Sequence, residues 1–259
     1  MAEVDEMSQR FPIISSGVGP DVVVLHGYPA GPEYMDAAVA GLHDRFCVHV
    51  VDTSQATLSD EEMVEALELT LTEGGLAGAH VLGHSIGGYR ALHLAVRGRV
   101  EMASVVAIGG FPRLPEETLE SYEGMATQVE LGELDVAAVA TPLWFGEPFL
   151  TAHPETIEQV RAWSSAVDDG TIAEQLRVFG HGPHLLAELS TISQPVLFIV
   201  GDLDIVTPVT WSEEMAAEIS SARVEVVPRS GHFPFMENPT AFFSGLREFL
   251  LVADQAVAR

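Results

Sequence analysis

The chain has 259 residues, 12 basic and 38 acidic, giving a formal net charge of −26, and 47% of its residues are apolar. Length and apolar content suit one large α/β domain with an inserted subdomain. So negative a surface repels phosphate backbones and anionic lipids, which sets nucleic-acid and membrane partners aside. Lysine is absent, which removes Schiff-base and phosphate-loop lysine chemistry. The single cysteine, Cys47, can form no intrachain disulfide and, within the apolar run 46–51, is expected as a buried core thiol. The acidic start MAEVDEMSQR is unlike a signal peptide, and no apolar run reaches membrane-spanning length, so a cytoplasmic location is expected.

A short segment, Phe11–Ser15, precedes a Gly17–Pro20 turn. Val22–Leu25 is the first clear strand and runs into His26-Gly27-Tyr28-Pro29. Cys47–Val51 follows, then a helix over Ser59–Gly74 that opens on the capping box Ser59-x-x-Glu62 and ends at glycine. The strand Ala79–Leu82 leads directly into Gly83-His84-Ser85-Ile86-Gly87-Gly88 and a helix over Ile86–Arg97. Ser104–Ile108 is the next strand. From about Phe111 to Gln194 the strand–helix alternation fails, and helical periodicity takes over in Glu116–Leu131, Pro154–Val167 and Thr171–Val178. This stretch carries Tyr122, Met125, Trp144, Phe145, Phe149, Trp163 and Phe179. Strands resume at Val196–Val200 and Arg223–Val227. Asn238 and Pro239 then open a last helix, with Phe242, Phe243, Leu246 and Phe249 on one face. Most strands are apolar nearly throughout, as in a parallel sheet covered on both faces.

Gly83-x-Ser85-x-Gly87 between a strand and a helix makes a sharp turn that holds the serine in a strained backbone and projects its hydroxyl. A serine nucleophile needs a base, and the base needs an orienting acid. Two strand ends supply them: Gly201-Asp202-Leu203-Asp204 before Pro208, and Gly231-His232. His232 is the candidate base. Asp204 is preferred to Asp202 as the acid, and no carboxylate lies between Gly109 and Pro115 to compete. The His26-Gly27 turn would aim backbone N–H groups at an oxyanion, with Tyr28 and Ile86 as donors. His26 and His84 are expected to be structural.

Together, His26-Gly27, Gly83-His84-Ser85-Ile86-Gly87-Gly88, Gly201-x-x-Asp204-x-x-x-Pro208 and Gly231-His232 resemble the α/β-hydrolase fold superfamily, in its serine-nucleophile branch. The segment Trp144–Glu155 is similar to the caps of enol-lactone hydrolases and cofactor-free haloperoxidase-like esterases. The resemblance implies an α/β class, α/β-hydrolase fold: a mostly parallel central sheet flanked by helices, with a helical cap inserted after the sixth family strand. The core would be residues 1–110 and 195–259, and the cap 111–194. It also implies a Ser85–His232–Asp204 triad. Two departures appear: Asp52–Ser59 lacks the arginine and glycines common after the second strand, and the N-terminal hairpin is shortened.

The expected function is hydrolysis of a small, largely apolar ester, lactone or related acyl compound through an acyl-enzyme. Tyr28, Tyr122, Met125, Trp144, Phe145, Trp163 and Phe179 are the candidate substrate-binding residues. Arg113, Arg161 and Arg177 are the insert's cations that could hold a carboxylate. Carbon–carbon bond hydrolysis, or a lyase, cyclase or isomerase role, stays open on the same fold, and a catalytically silent binding protein is the remaining alternative. No metal and no organic cofactor is expected, because none of the ten histidines forms a recognised ligand pattern and no nucleotide-binding glycine fingerprint is present. The expected partner is a small-molecule substrate, and the expected state is a monomer or homodimer.

Overall fold

A computed structural model describes residues 10–28 and 30–257. Its centre is a seven-stranded sheet: β1 (Ile13–Gly17), β2 (Asp21–Leu25), β3 (Cys47–Val51), β4 (His80–His84), β5 (Ser104–Ile108), β6 (Val196–Gly201) and β7 (Ala222–Val227). The spatial order is β1-β3-β2-β4-β5-β6-β7, parallel except for β1, which runs antiparallel to β3. The chain therefore does not close a hairpin between β1 and β2. Both flanks of β2 are occupied by β3 and β4, so β1 takes the free edge of β3.

Why the strands read as apolar throughout is visible in the packing. Val23, Leu25, Val81 and Val105 enter one buried cluster, whereas Val22, Val24, Leu82 and Val106 enter the other. Successive side chains point to opposite faces, and both faces are covered. On the first face lie α2 (Asp60–Glu73) and α3 (Ile86–Arg97), through Met63, Leu67, Leu71 and Leu92. On the second lie the short α1 (Asp36–Ala40) and the C-terminal helix Pro239–Val257, through Ala38, Phe242, Leu246 and Phe249. The Ser59 capping box is formed on both sides. At the last helix, Asn238 Oδ1 accepts from the Ala241 N–H at 3.3 Å.

Between β5 and β6 come only helices among the described elements: α4 (Glu116–Glu130), α5 (Val136–Trp144), α6 (Glu147–Ala152), α7 (Thr156–Ser164), α8 (Asp169–Val178) and a 3₁₀ turn at Leu186–Thr191. α4 packs on α8, and α5 on α7. Pro142 inside α5 and Pro148 in the first turn of α6 are breaker signals that hide both helices from a periodicity scan. After β6 come α9 (Val209–Ala217), α10 (Pro234–Glu237) and the C-terminal helix, α11. Cys47 departs from expectation. It opens β3 and is only half-buried, and its cross-strand partner in β1 is Gly17, which has no side chain to cover it. No helix among the described residues is long and apolar enough to cross a membrane.

Phe242 is fully buried, and its neighbour Phe243 only partly. Phe242→Ala should cost about 3–5 kcal/mol of stability by urea unfolding. Phe243→Ala should cost clearly less, and equal losses would contradict this placement of α11.

Candidate active site

Ser85 joins β4 to α3 with φ 57° and ψ −123°. Left-handed backbone in a non-glycine residue is costly, and it persists only where the surroundings over-determine it. Here the surroundings are two elements in near contact. A Cβ on Gly83 would lie 2.0 Å from the Gly87 carbonyl oxygen, and one on Gly87 would lie 2.2 Å from that of Leu25. Glycine at both positions lets the strand, the turn and the helix close on one another. Ser85 itself stays partly exposed, at the N-terminus of α3, whose first backbone N–H is that of Ile86.

His232 lies past β7 and Asp204 past β6, both buried. His232 Nδ1 donates to Asp204 Oδ2 at 2.7 Å, which leaves Nε2 of the neutral ring as an acceptor. The two oxygens of Asp204 divide the work. Oδ1 accepts from the Val206 and Thr207 N–H groups, each at 2.9 Å, and so folds its own turn, while Oδ2 serves His232 and accepts from Thr207 Oγ1 at 2.8 Å. Burial works to raise the Asp204 carboxyl, but the facing imidazole and these hydrogen bonds outweigh it and hold the group below the usual aspartate value. Asp202 does not reach the imidazole through these bonds. Its Oδ1 accepts from the Ser230 N–H at 3.1 Å and shapes the turn before His232.

A second network joins three loops. Thr53 N–H donates to His26 Nε2 at 3.0 Å, so Nδ1 carries the hydrogen and donates to the Gly27 carbonyl at 2.8 Å. Gly27 N–H donates to the Tyr34 hydroxyl, which donates to His84 Nδ1 at 2.9 Å. His84 Nε2 then donates to the His232 carbonyl at 2.8 Å. Burial lowers His26 to about 4 and His84 to about 3, so both rings are neutral around pH 7. The expected structural role of these two histidines is what the contacts describe.

Tyr28 carries Arg90 on one face, with the guanidinium carbon 4.8 Å from the ring centre, and Arg90 Nη2 donates to its hydroxyl at 3.2 Å. The tyrosine hydroxyl donates in turn to the Ala56 carbonyl at 3.4 Å. Gln175 of α8 donates to the Ser54 and Ala56 carbonyls at 2.7 and 3.0 Å. The Asp52–Ser59 loop, which lacks the usual arginine and glycines, is thus tied to the helical insert by a buried carboxamide.

Two cavities adjoin. A very small one, about 10 Å³, is lined by Ser85, His232, Gly27, Tyr34, Trp144 and Trp163, among others. It has room for roughly one water. A larger one, about 100 Å³, is lined by Tyr28, Tyr122, Met125, Leu143, Trp144 and Phe179, among others, and is almost wholly apolar. Tyr28 and Trp144 line both. Phe145 lines neither: at the end of α5 it turns away and stacks on Phe233 and Phe149, at 4.7 and 5.5 Å between ring centres. The insert's arginines are held by its own carboxylates. Arg113 pairs with Glu116, Arg161 with Asp135 and Glu158, and Arg177 with Glu123 and Glu130.

The His232 loop is also pinned to the insert. Glu237, in α10, accepts from Gly146 and Gly231 N–H at 2.8 and 2.9 Å through Oε2, and from Phe233 N–H at 3.1 Å through Oε1. The His232 N–H itself donates to the Trp144 carbonyl at 2.7 Å. Burial pushes the Glu237 carboxyl up, against the three donors that lower it. Sequence reasoning does not find Tyr34, Thr207, Arg90 or Glu237. Only Glu237 leaves a trace, as an acid five residues after the histidine beside an N-cap asparagine.

Residues 22–244 match the alpha/beta hydrolase family, and the chain belongs to that family and is one of its enzymes. Pimeloyl-[acyl-carrier protein] methyl ester esterases are similar in sequence. That of Nitrosomonas europaea is 27% identical over 90% of this chain and 96% of that protein, and that of Aeromonas hydrophila is 26% identical over 90% and 96%. Among solved structures, a malate-bound thermophilic esterase from Thermogutta terrifontis superposes with a TM-score of 0.85 and 26% identity, over 94% of this chain and 93% of that one. An enol-lactonase from Burkholderia xenovorans shares the fold, with a TM-score of 0.84 and 20% identity over 93% and 96%.

Two outcomes follow from the site. His26 ionises below its ordinary value of 6.5, so the unfolded chain binds more protons than the folded one as pH falls below 6.5. The melting temperature should drop progressively from there towards pH 4, and more shallowly in His26→Gln; parallel curves would contradict the assignment. Glu237→Gln keeps the size of the side chain but sets an amide among three donors. We expect kcat to fall about 10- to 100-fold in steady-state assays of a folded protein, with KM little changed.

Proposed function

We propose that the chain is a carboxylic-ester hydrolase acting through Ser85, His232 and Asp204 on a small, uncharged ester or lactone with an apolar acyl part. The observation that carries this reading is the buried 2.7 Å hydrogen bond from His232 to Asp204, at a cavity shared with a serine held at φ 57°. Ester hydrolysis is further supported by the similarity to esterases at 26–27% identity over most of the chain.

In the proposed mechanism His232 Nε2 takes the Ser85 proton as the hydroxyl oxygen attacks the carbonyl carbon. The tetrahedral oxyanion rests on the backbone N–H groups of Tyr28 and Ile86, the second reinforced by the N-terminus of α3. Asp204 keeps the ring in its tautomer and stabilises the imidazolium. The proton then passes to the departing alkoxide, and water activated by His232 releases the acid and restores Ser85. The helical insert serves as a cap. Tyr122, Met125 and Phe179 hold the apolar group, Trp144 and Tyr28 stand where the two cavities meet, and Trp163 closes the side over Ser85.

Charge favours a small substrate. The pimeloyl esterases similar in sequence act on a carrier-protein-linked ester. Here the net charge is −26 and each insert arginine is already paired. Little cationic surface is left on the insert for a large anionic partner.

Ser85→Ala and Asp204→Asn should each lower kcat/KM by about 10³-fold or more, measured on short p-nitrophenyl esters. An ester bearing a free carboxylate at the acyl end should react far more slowly than its neutral counterpart. Full activity in Asp204→Asn would overturn the acid's role. Lack of turnover on every ester and lactone by the folded protein would favour carbon–carbon cleavage or a lyase role instead.

A further inference from the structure

At the end of the sheet opposite Ser85, three side chains of different chemistry converge. Asp21 opens β2, and Cys47 and His49 occupy alternate positions of β3, hence the same face. Asp21 and Cys47 are direct partners across the parallel pair. One ligand atom from each of Asp21, Cys47 and His49 lies within 4.8 Å of the others. His49 Nε2 faces Asp21 Oδ1 at 2.8 Å. Its other nitrogen, Nδ1, meets Ser15 Oγ at 2.8 Å, the side chain directly across the antiparallel pair. The partner of Cys47 in β1 is Gly17, which has no side chain to cover the thiol.

We propose that Asp21, Cys47 and His49 bind a divalent transition-metal ion, Zn²⁺ being the best match, with water in the fourth position. Thiolate, imidazole and carboxylate form a donor set typical of zinc, whose bonds of about 2.0–2.3 Å place neighbouring donors roughly 3.3–3.6 Å apart. The three groups need only small rotations to reach that spacing. Ser15 supplies what metal-bound histidines usually have, an acceptor that fixes the ring with its other nitrogen aimed at the metal. Charge balances as well: coordination releases one proton from the Cys47 thiol to solvent, and thiolate plus carboxylate neutralise the dication. The strongly negative surface raises the local concentration of cations. No ligand motif in the sequence reveals the cluster, because Asp21 arrives from a neighbouring strand.

Asp21 and Leu25, the two ends of β2, are about 13 Å apart, and Ser85 lies beyond Leu25. The metal therefore takes no part in ester hydrolysis. It staples the exposed edge, where β1 is held by a single neighbour.

The test uses metal-stripped, full-length protein titrated with Co²⁺. One equivalent should give the near-ultraviolet thiolate-to-cobalt charge-transfer band, and Zn²⁺ should displace it. Cys47→Ser and His49→Gln should abolish the band, Ser85→Ala should keep it, and Ser15→Ala should weaken binding about tenfold. Zn²⁺ should raise the melting temperature of the unsubstituted protein but not that of Cys47→Ser. Ester turnover should be equal in stripped and loaded protein. The proposal is overturned if folded protein shows no band, if the band survives Cys47→Ser, or if stripping abolishes turnover.

Discussion

The backbone of Ser85 is the constraint on which the rest of the site depends. Its left-handed conformation costs about 1–3 kcal/mol and points the hydroxyl out of the turn instead of into the helix. The fold sustains that cost by burial. β4 is buried along its whole length in the middle of the sheet, and α3 is packed from Ile86 to Ala95. Neither can shift to relax the turn, and glycines at 83 and 87 let both approach within contact of Leu25 and each other. The strained backbone at Ser85 is therefore a product of core packing as much as of local sequence.

The positioning of the other groups runs outward from that turn. The residue before the serine, His84, faces inward and bridges Tyr34 to the His232 carbonyl. Tyr34 in turn takes the Gly27 N–H, one residue from a proposed oxyanion donor. The Ser85 turn, the His26–Tyr28 loop and the His232 loop are thus one hydrogen-bonded unit with neutral rings at its joints. A charged ring there would compete with the imidazolium that the proposed mechanism forms at His232. Depressing His26 and His84 by burial removes that competition. Glu237 extends the same unit to the insert, so the insert and the His232 loop share an anchor.

Much of this is legible in the sequence where local backbone demands dictate residue type. Gly83-x-Ser85-x-Gly87 between strand and helix, Asp204 just past β6 and His232 just past β7 can each be placed from flanking elements alone. The strands are legible because two buried faces leave few polar residues in them. What stays hidden depends on contacts between distant segments. Tyr34 and Thr207 carry no motif, since their roles exist only once three loops meet. Phe145 looks like its neighbour Trp144 in sequence, yet the chain turns at the end of α5 and sends the two rings to different places. The segment before the Gly17–Pro20 turn reads only as the arm of a shortened hairpin, yet β1 pairs with β3, because the choice of β3 over β2 follows from which edges the finished sheet leaves free. Cys47 misleads for a related reason: hydrophobic neighbours in sequence do not reveal that its partner in β1 is a glycine.

The most direct test of the account is active-site labelling. A fluorophosphonate should react with the native protein at one residue, and peptide mass spectrometry should find the adduct on Ser85. The rate should drop sharply in His232→Ala, since the hydroxyl would then lose the base that activates it. An adduct at any other residue, or undiminished labelling without His232, would contradict a catalytic unit built on that serine.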